Sequence, residues 1–184
     1  MALALLTAVT SLTAGACSET PVSERFTVQA EGDRYFVRER RGWFSAMLPC
    51  KPQLSQATFG RDKIRMMVAG CTYEGDVFTI TFGRFKVPAG AAPSVEQIYE
   101  QMVRGMDAQV SRPAGSRVQI DQVSLAGRAA RHITYENVAG TGTTAHVWLL
   151  WAEEQQAIYH IMQLGGRSPL EGQRIARSML VPSP

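Results

Sequence analysis

The run Pro93-Ser94-Val95-Glu96-Gln97-Ile98-Tyr99-Glu100-Gln101-Met102-Val103-Arg104-Gly105-Met106 lies between two stretches of strand-like sequence, and its reading decides the fold. Ser94 and Gln97, just past a proline, make a capping box. Val95, Ile98, Tyr99, Met102, Val103, Met106 and Val110 recur at the i, i+3, i+4, i+7 spacing, while Glu96, Glu100, Gln101, Arg104 and Asp107 fall opposite. The pattern predicts an amphipathic helix that stops before Pro113 and lays one apolar stripe on a sheet.

On its N-terminal side the sequence reads as short strands. Phe26–Ala30 and Arg34–Arg38 flank a turn at Glu31-Gly32-Asp33, and Trp43–Leu48 ends at Pro49. Gln53–Phe59, Lys63–Cys71 and Asp76–Phe85 continue as an antiparallel meander. In the last of these Phe78, Ile80 and Phe82 alternate with Thr79 and Thr81, which gives one apolar face.

On its C-terminal side Ser116–Leu125 turns at Ala126-Gly127 into Arg128–Asn137, and the glycine-rich turn Ala139–Gly142 leads to Thr143–Ala152. A polar turn at Glu153–Gln156 then leads to Ala157–Leu164. His146–Trp151 and Ile158–Leu164 are apolar on both faces, as strands covered on both sides are. Ser168, Pro169 and Glu171 predict the start of a second helix with its own capping box, burying Ile175, Ala176, Met179 and Leu180. Strands, helix, meander, helix is the order of an α+β fold: antiparallel β-sheet meanders packed by two main helices.

The first seventeen residues read differently. Ala2–Leu12 is apolar, Ala14-Gly15-Ala16 is small, and Cys17 follows. The apolar run is too short for a bilayer span of roughly 20 residues and fits an export signal. The same stretch resembles a bacterial lipoprotein signal, in which the cysteine becomes the lipidated N-terminus. It departs from that pattern at Ala14, where Leu is more usual, and in lacking Lys or Arg before the apolar run. Plain secretion and a buried N-terminal element remain alternatives. The organisation expected is a signal peptide over 1–16, a tether over 17–25 and a single α+β domain over 26–184, with Cys17 the lipidation site.

Of 184 residues, 19 are basic and 16 acidic, a net charge of +3, too small an excess to point to nucleic acid. Arg38, Arg40 and Arg41, interrupted by Glu39, form a basic cluster that reads as a solvated strand end or as a contact for anionic lipid headgroups. With Cys17 assigned to lipid, Cys50 and Cys71 remain, and an even pair in an oxidising compartment predicts a disulfide. A two-residue turn at Gly60-Arg61 would place Cys50 opposite Cys71 at the base of that hairpin, although Pro49 and Pro52 interrupt a regular ladder.

His132, His146 and His160 are evenly spaced. Counting back from the turns sets His132 near Leu150 and His160 near Leu149. That leaves the rings too far apart for one metal, whose bonds to nitrogen are about 2 Å. Gly140-Thr141-Gly142 lacks the following helix and lysine of a phosphate loop, and Glu153-Glu154 falls in an exposed turn. Trp148 and Trp151 fall on opposite strand faces, and with Tyr135 and Tyr159 they read as core. No G-x-S-x-G or H-E-x-x-H spacing occurs.

The segment Trp43-Phe44-Ser45-Ala46-Met47-Leu48-Pro49-Cys50-Lys51-Pro52 resembles the opening strand of small bacterial exported proteins with a PsbP/Mog1-like sandwich, and the element order over Trp43 to Leu180 matches theirs. The resemblance implies that α/β sandwich and non-enzymatic roles: accessory subunits of membrane complexes, binders of small GTPases, or lipoproteins. It carries over no functional residues. The expected function is a non-catalytic cell-envelope lipoprotein or secreted domain acting as a protein-binding or accessory module. Its expected partner is an envelope protein, its lipid anchor tethers it to the membrane, and no cofactor, metal or nucleic acid is expected. The alternatives are a small apolar ligand or lipid binder with a pocket between sheet and helix, and an enzyme whose site the sequence does not display.

Overall fold

Alternating apolar residues put most of the described residues into strands. The computed structural model describes residues 22–59, 64–84, 94–107, 116–165 and 168–181. The signal segment and Cys17 lie outside them. A single helical turn, α1 (Val22–Arg25), occupies the last part of the expected tether. Then come β1 (Phe26–Glu31), β2 (Arg34–Glu39) and β3 (Ser45–Leu48), which form a small antiparallel sheet. Next are β4 (Gln53–Phe59), β5 (Ile64–Tyr73), β6 (Asp76–Arg84), α2 (Val95–Asp107), β7 (Val118–Leu125), β8 (Arg128–Val138), β9 (Thr143–Ala152), β10 (Ala157–Leu164) and α3 (Leu170–Ser178).

The large sheet has seven strands in the order β4-β5-β6-β10-β9-β8-β7. It is two meanders joined where β10 pairs antiparallel with β6. The doubly apolar strands β9 and β10 are central, as their sequences require. One face of the sheet carries Phe78, Ile80, Phe82, Trp148, Leu150, Tyr159 and Ile161. The small sheet covers it with Phe26, Val37, Phe44, Ala46 and Leu48, and the α3 region with Ile175, Ala176, Met179 and Val181. The other face carries Ile133, Tyr135, Val147, Leu149, Trp151 and Ile158 against the α2 stripe of Ile98, Tyr99, Met102, Val103 and Met106. The protein is α+β, with the large sheet enclosed between two different covers. Val110 and Pro113 lie outside the described residues.

Local signals explain the elements. Both halves of the first capping box form: Gln97 N donates to Ser94 Oγ at 3.2 Å, and Ser94 N donates to Gln97 Oε1 at 2.9 Å. Ala126 and Gly127 adopt φ of 50° and 74°, the left-handed pair of a tight hairpin turn, and Leu125 faces Arg128 across it. The second capping box does not form. Glu171 turns instead to Arg34 of β2 at 2.7 Å and to Arg174 at 3.1 Å.

The N-terminus of α3 is capped from the sheet. Gln163, 2% exposed, accepts from Gly172 N at 2.9 Å through Oε1. Its Nε2 donates to Asp76 Oδ2 at 2.8 Å and to Ser168 O at 3.0 Å. At its other end α3 stops at Ser178. Leu180 then exchanges backbone hydrogen bonds with Ser45 at 2.9 and 3.0 Å. This extended exit leaves Leu180 64% exposed and buries Val181 in the role expected of Leu180.

The Cys50–Cys71 disulfide is present, with Cα atoms 5.9 Å apart. The hairpin register that suggested it is not. Phe59 faces Ile64 and Gln53 faces Gly70, two residues out of step with a Gly60-Arg61 turn, which itself falls outside the described residues. Pro52 ends the ladder at Gln53, and the bend through residues 49–52 brings Cys50 back over Cys71. Closing a loop of this length stabilises the fold by roughly 3 kcal/mol.

Gly172 is held in a tight space. A Cβ there would collide with the Trp148 ring and lie 2.8 Å from Gln163 Oε1. Trp148 is only 3% exposed and cannot yield. Gly172→Ala, which would gain up to about 1 kcal/mol in an open helix, is expected to cost about 2 kcal/mol here. Thermal unfolding would show a melting point several degrees below wild type; an unchanged or raised one would contradict this packing.

Candidate functional site

The histidines are the first cluster of side chains that could carry chemistry. The turn after β8 and a bulge between Tyr135 and Val138 each shift the β8–β9 register by one residue, so His132 faces Trp148 rather than Leu150. The expected separation therefore fails for one pair: His132 and His146 stack with centroids 5.5 Å apart, and His132 stacks on Trp148 at 4.6 Å. His160 faces Leu149 as expected, on the α2 side, so the sheet separates it from the other two. Parallel stacked rings do not aim nitrogens at one point. No group of three or more potential ligands gathers among the described residues.

All three Nε2 atoms are enclosed without a hydrogen-bond partner. Burial lowers the pKa of His132, against the nearby Asp121 carboxylate at 3.9 Å, which raises it. Burial also lowers His146, with the neighbouring His132 in the same direction. His160 is pushed down to about 4 by burial alone. These are neutral packing imidazoles at neutral pH.

The remaining sequence candidates are structural. Both paired cysteines are consumed by the disulfide. Trp148 and Trp151 lie in opposite cores, 3% and 6% exposed, and Tyr135 and Tyr159 are buried. Tyr159 donates to Trp43 O at 2.9 Å, and burial raises its pKa. Glu153 is exposed, while Glu154 pairs with Arg128.

The third cluster was not singled out from the sequence. Between α2 and the β7 edge runs an open groove of about 200 Å³, lined by Glu96, Tyr99, Glu100, Val103, Arg104, Ile120 and Arg131. The capping box and apolar stripe seat α2. Tyr99 fixes its height: its hydroxyl donates to Ala129 O at 2.9 Å and accepts from Trp151 N at 3.0 Å. Burial raises the Tyr99 pKa, so the hydroxyl stays protonated and acts as a strut rather than a base. Arg131 lies over the Tyr99 ring at 4.9 Å and pairs with Glu96. Arg104 pairs with Glu100 at 3.1 Å along the rim.

This is an apolar floor of Tyr99, Val103 and Ile120 inside a charged rim. Ile120 is 50% exposed on the last strand of the sheet, and among the described residues no strand pairs with its outer edge. Paired rim charges over an apolar floor suit recognition of an apolar side chain. The signal in the sequence was Val118 and Ile120 alternating with Gln119 and Asp121, an apolar row on an edge strand. No family model matches the chain, and no curated protein matches it.

The histidines give the fold a pH dependence with a definite sign. Each imidazole titrates lower in the fold than at its ordinary value near 6.5, so the unfolded chain binds protons first as pH falls. Their contribution is complete above about pH 6.5 and is lost as pH falls towards about 4, His160 alone accounting for on the order of 3 kcal/mol. Chemical denaturation between these limits should show falling stability and a shallower fall in His160→Leu. An equal slope in the two proteins would contradict the assignment.

Proposed function

We propose that this chain is a non-catalytic domain of the cell envelope, exported on residues 1–16 and tethered through a lipidated Cys17, that binds an envelope protein through the α2–β7 groove. The observation that carries the binding reading is Ile120, half exposed on an unpaired sheet edge beside the apolar floor of Tyr99 and Val103. An extended or helical segment of the partner would seat one apolar side chain on that floor. Its backbone could run along β7, as in strand addition. At about 200 Å³ and open, the groove is smaller than the roughly 300 Å³ lower bound of small-molecule sites, which favours a protein segment over an enclosed ligand. The export reading is supported by the Ala2–Leu12 run, the small residues before Cys17 and the disulfide, which suits an oxidising compartment. The finer fold reading, a PsbP/Mog1-like sandwich, is supported by the element order and by the two covers on one central sheet.

A photoreactive side chain at Ile120 tests the binding reading in intact envelopes, with Val28 on the small sheet as its comparison. A discrete adduct from position 120 and none from 28 is expected. Ile120→Asp, an exposed change expected to alter stability by no more than about 0.5 kcal/mol, should weaken capture of that partner by tenfold or more. No adduct at 120, or the same adducts from both positions, would overturn this assignment of the surface.

A further inference from the structure

One end of the domain gathers five arginines. Arg38, Arg40, Arg41 and Arg84 are exposed there, with Arg25 and Trp43 half-buried among them. They come from three places in the chain. Arg40 N donates to Arg25 O at 2.8 Å, which joins the β2 turn to α1. The Arg38 guanidinium reaches over Gly42. Arg84, at the end of β6, lies 4.7 Å over the Trp43 ring, and Arg41 lies 5.5 Å over it. Trp43 is fixed from beneath by Phe82 at 5.2 Å. Cation–π contacts thus hold two guanidiniums on one indole, which keeps their charges together at low entropic cost.

The carboxylates nearby do not cancel this charge. Glu39 is 2% exposed and turned inward, where its Oε2 accepts from Arg41 N at 2.7 Å and Trp43 N at 3.4 Å. Glu154 is taken by Arg128. Among the described residues, the other exposed acids of this end are Glu24 on α1 and Glu153, beside the Arg84 contact to Gln155 O.

We propose that this end of the domain is a membrane-contact surface for anionic lipid headgroups. The inference rests on the tethered reading of Cys17. From Cys17 to Val22 the chain spans at most about 18 Å fully extended, so a lipid at Cys17 holds α1, and with it Arg25 and Arg40, close to the bilayer. Held there, each exposed arginine near the surface gains attraction to anionic headgroups of the same leaflet. Indole and arginine are the side chains suited to the headgroup layer, since each presents an apolar body and a polar tip. With this end on the membrane, the domain is held in a fixed orientation rather than swinging on its tether.

The test uses the mature chain from residue 17 with Cys17→Ser, so that no acyl chain contributes. It is sedimented with vesicles of phosphatidylcholine containing about one-third phosphatidylglycerol, and with pure phosphatidylcholine. Sedimentation with the anionic vesicles alone is expected, with release at salt well above the physiological level. Arg40→Gln with Arg41→Gln should lower the partition coefficient by about tenfold or more, while Arg177→Gln on α3 leaves it unchanged. Equal binding to both vesicles, no binding to either, or a double variant that binds like its parent would overturn the proposal. So would a soluble polyanion that competes the chain off vesicles at equal charge concentration, which would assign the surface to polyanions in general. Intact mass of the native protein separates the two readings. An acylated Cys17 with no vesicle binding would remove this surface and leave the anchor. Vesicle binding without acyl mass would remove the anchor and leave the surface.

Discussion

The helix that covers one side of the large sheet is seated by the side-chain amide of Gln163. This group sits on a central strand, 2% exposed, where an unpaired polar atom would cost about 1–3 kcal/mol. Each of its ends is used. The oxygen takes the Gly172 amide, one of the orphan donors at the start of α3, and the nitrogen ties Asp76 of β6 and the Ser168 carbonyl. The contact is possible only because Gly172 has no side chain and α3 can come down onto Trp148. With α3 seated, Ile175, Ala176 and Met179 close the core, and Leu180 continues to the backbone of Ser45 in the small sheet. One polar group thus sets the position of a helix, and the helix leads into the backbone bridge that ties down the second sheet.

The two covers of the large sheet are fixed by different means, and this difference shapes where function can lie. The face under α3 and the small sheet is closed by Gln163, the aromatic group of Phe26, Phe44, Phe82 and Tyr159, and the disulfide. The face under α2 is held by one helix, its capping box and the Tyr99 strut, and α2 does not cover the outer edge. Surplus apolar surface therefore appears at Ile120 on β7. Surplus charge appears at the other kind of margin, the turn after β2, where Glu39 stabilises the backbone and leaves the neighbouring arginines facing solvent.

Local signals were legible in the sequence, and long-range register was not. The α2 capping box, the Ala126-Gly127 turn, the alternation of Phe78, Ile80 and Phe82 and the central place of β9 and β10 follow from patterns within a few residues. The Cys50–Cys71 pair was correct while its hairpin register was two residues off, because the bend between Pro49 and Pro52 makes up the difference. The turn after β8 and the bulge after Tyr135 each moved His132 by one residue, together enough to turn a separated pair of rings into a stack. Glu171 left the expected capping box for Arg34, a residue more than a hundred positions away, and Gln163 took over the cap. Such choices depend on which distant group the tertiary fold brings to a donor or acceptor, and no local pattern carries that information. The groove was missed for a related reason: Ile120 reads as one more apolar strand residue until the sheet order makes β7 the edge.

The most direct measurement is native-state hydrogen exchange at the Gly172 amide in wild type and in Gln163→Leu, with global stability measured in parallel. If Gln163 seats α3, the amide is protected in wild type to near the global unfolding free energy. In the variant it exchanges by local opening of α3 while strands β9 and β10 stay protected. Equal protection of Gly172 in both proteins would contradict the account, since α3 would then be held by its apolar face alone.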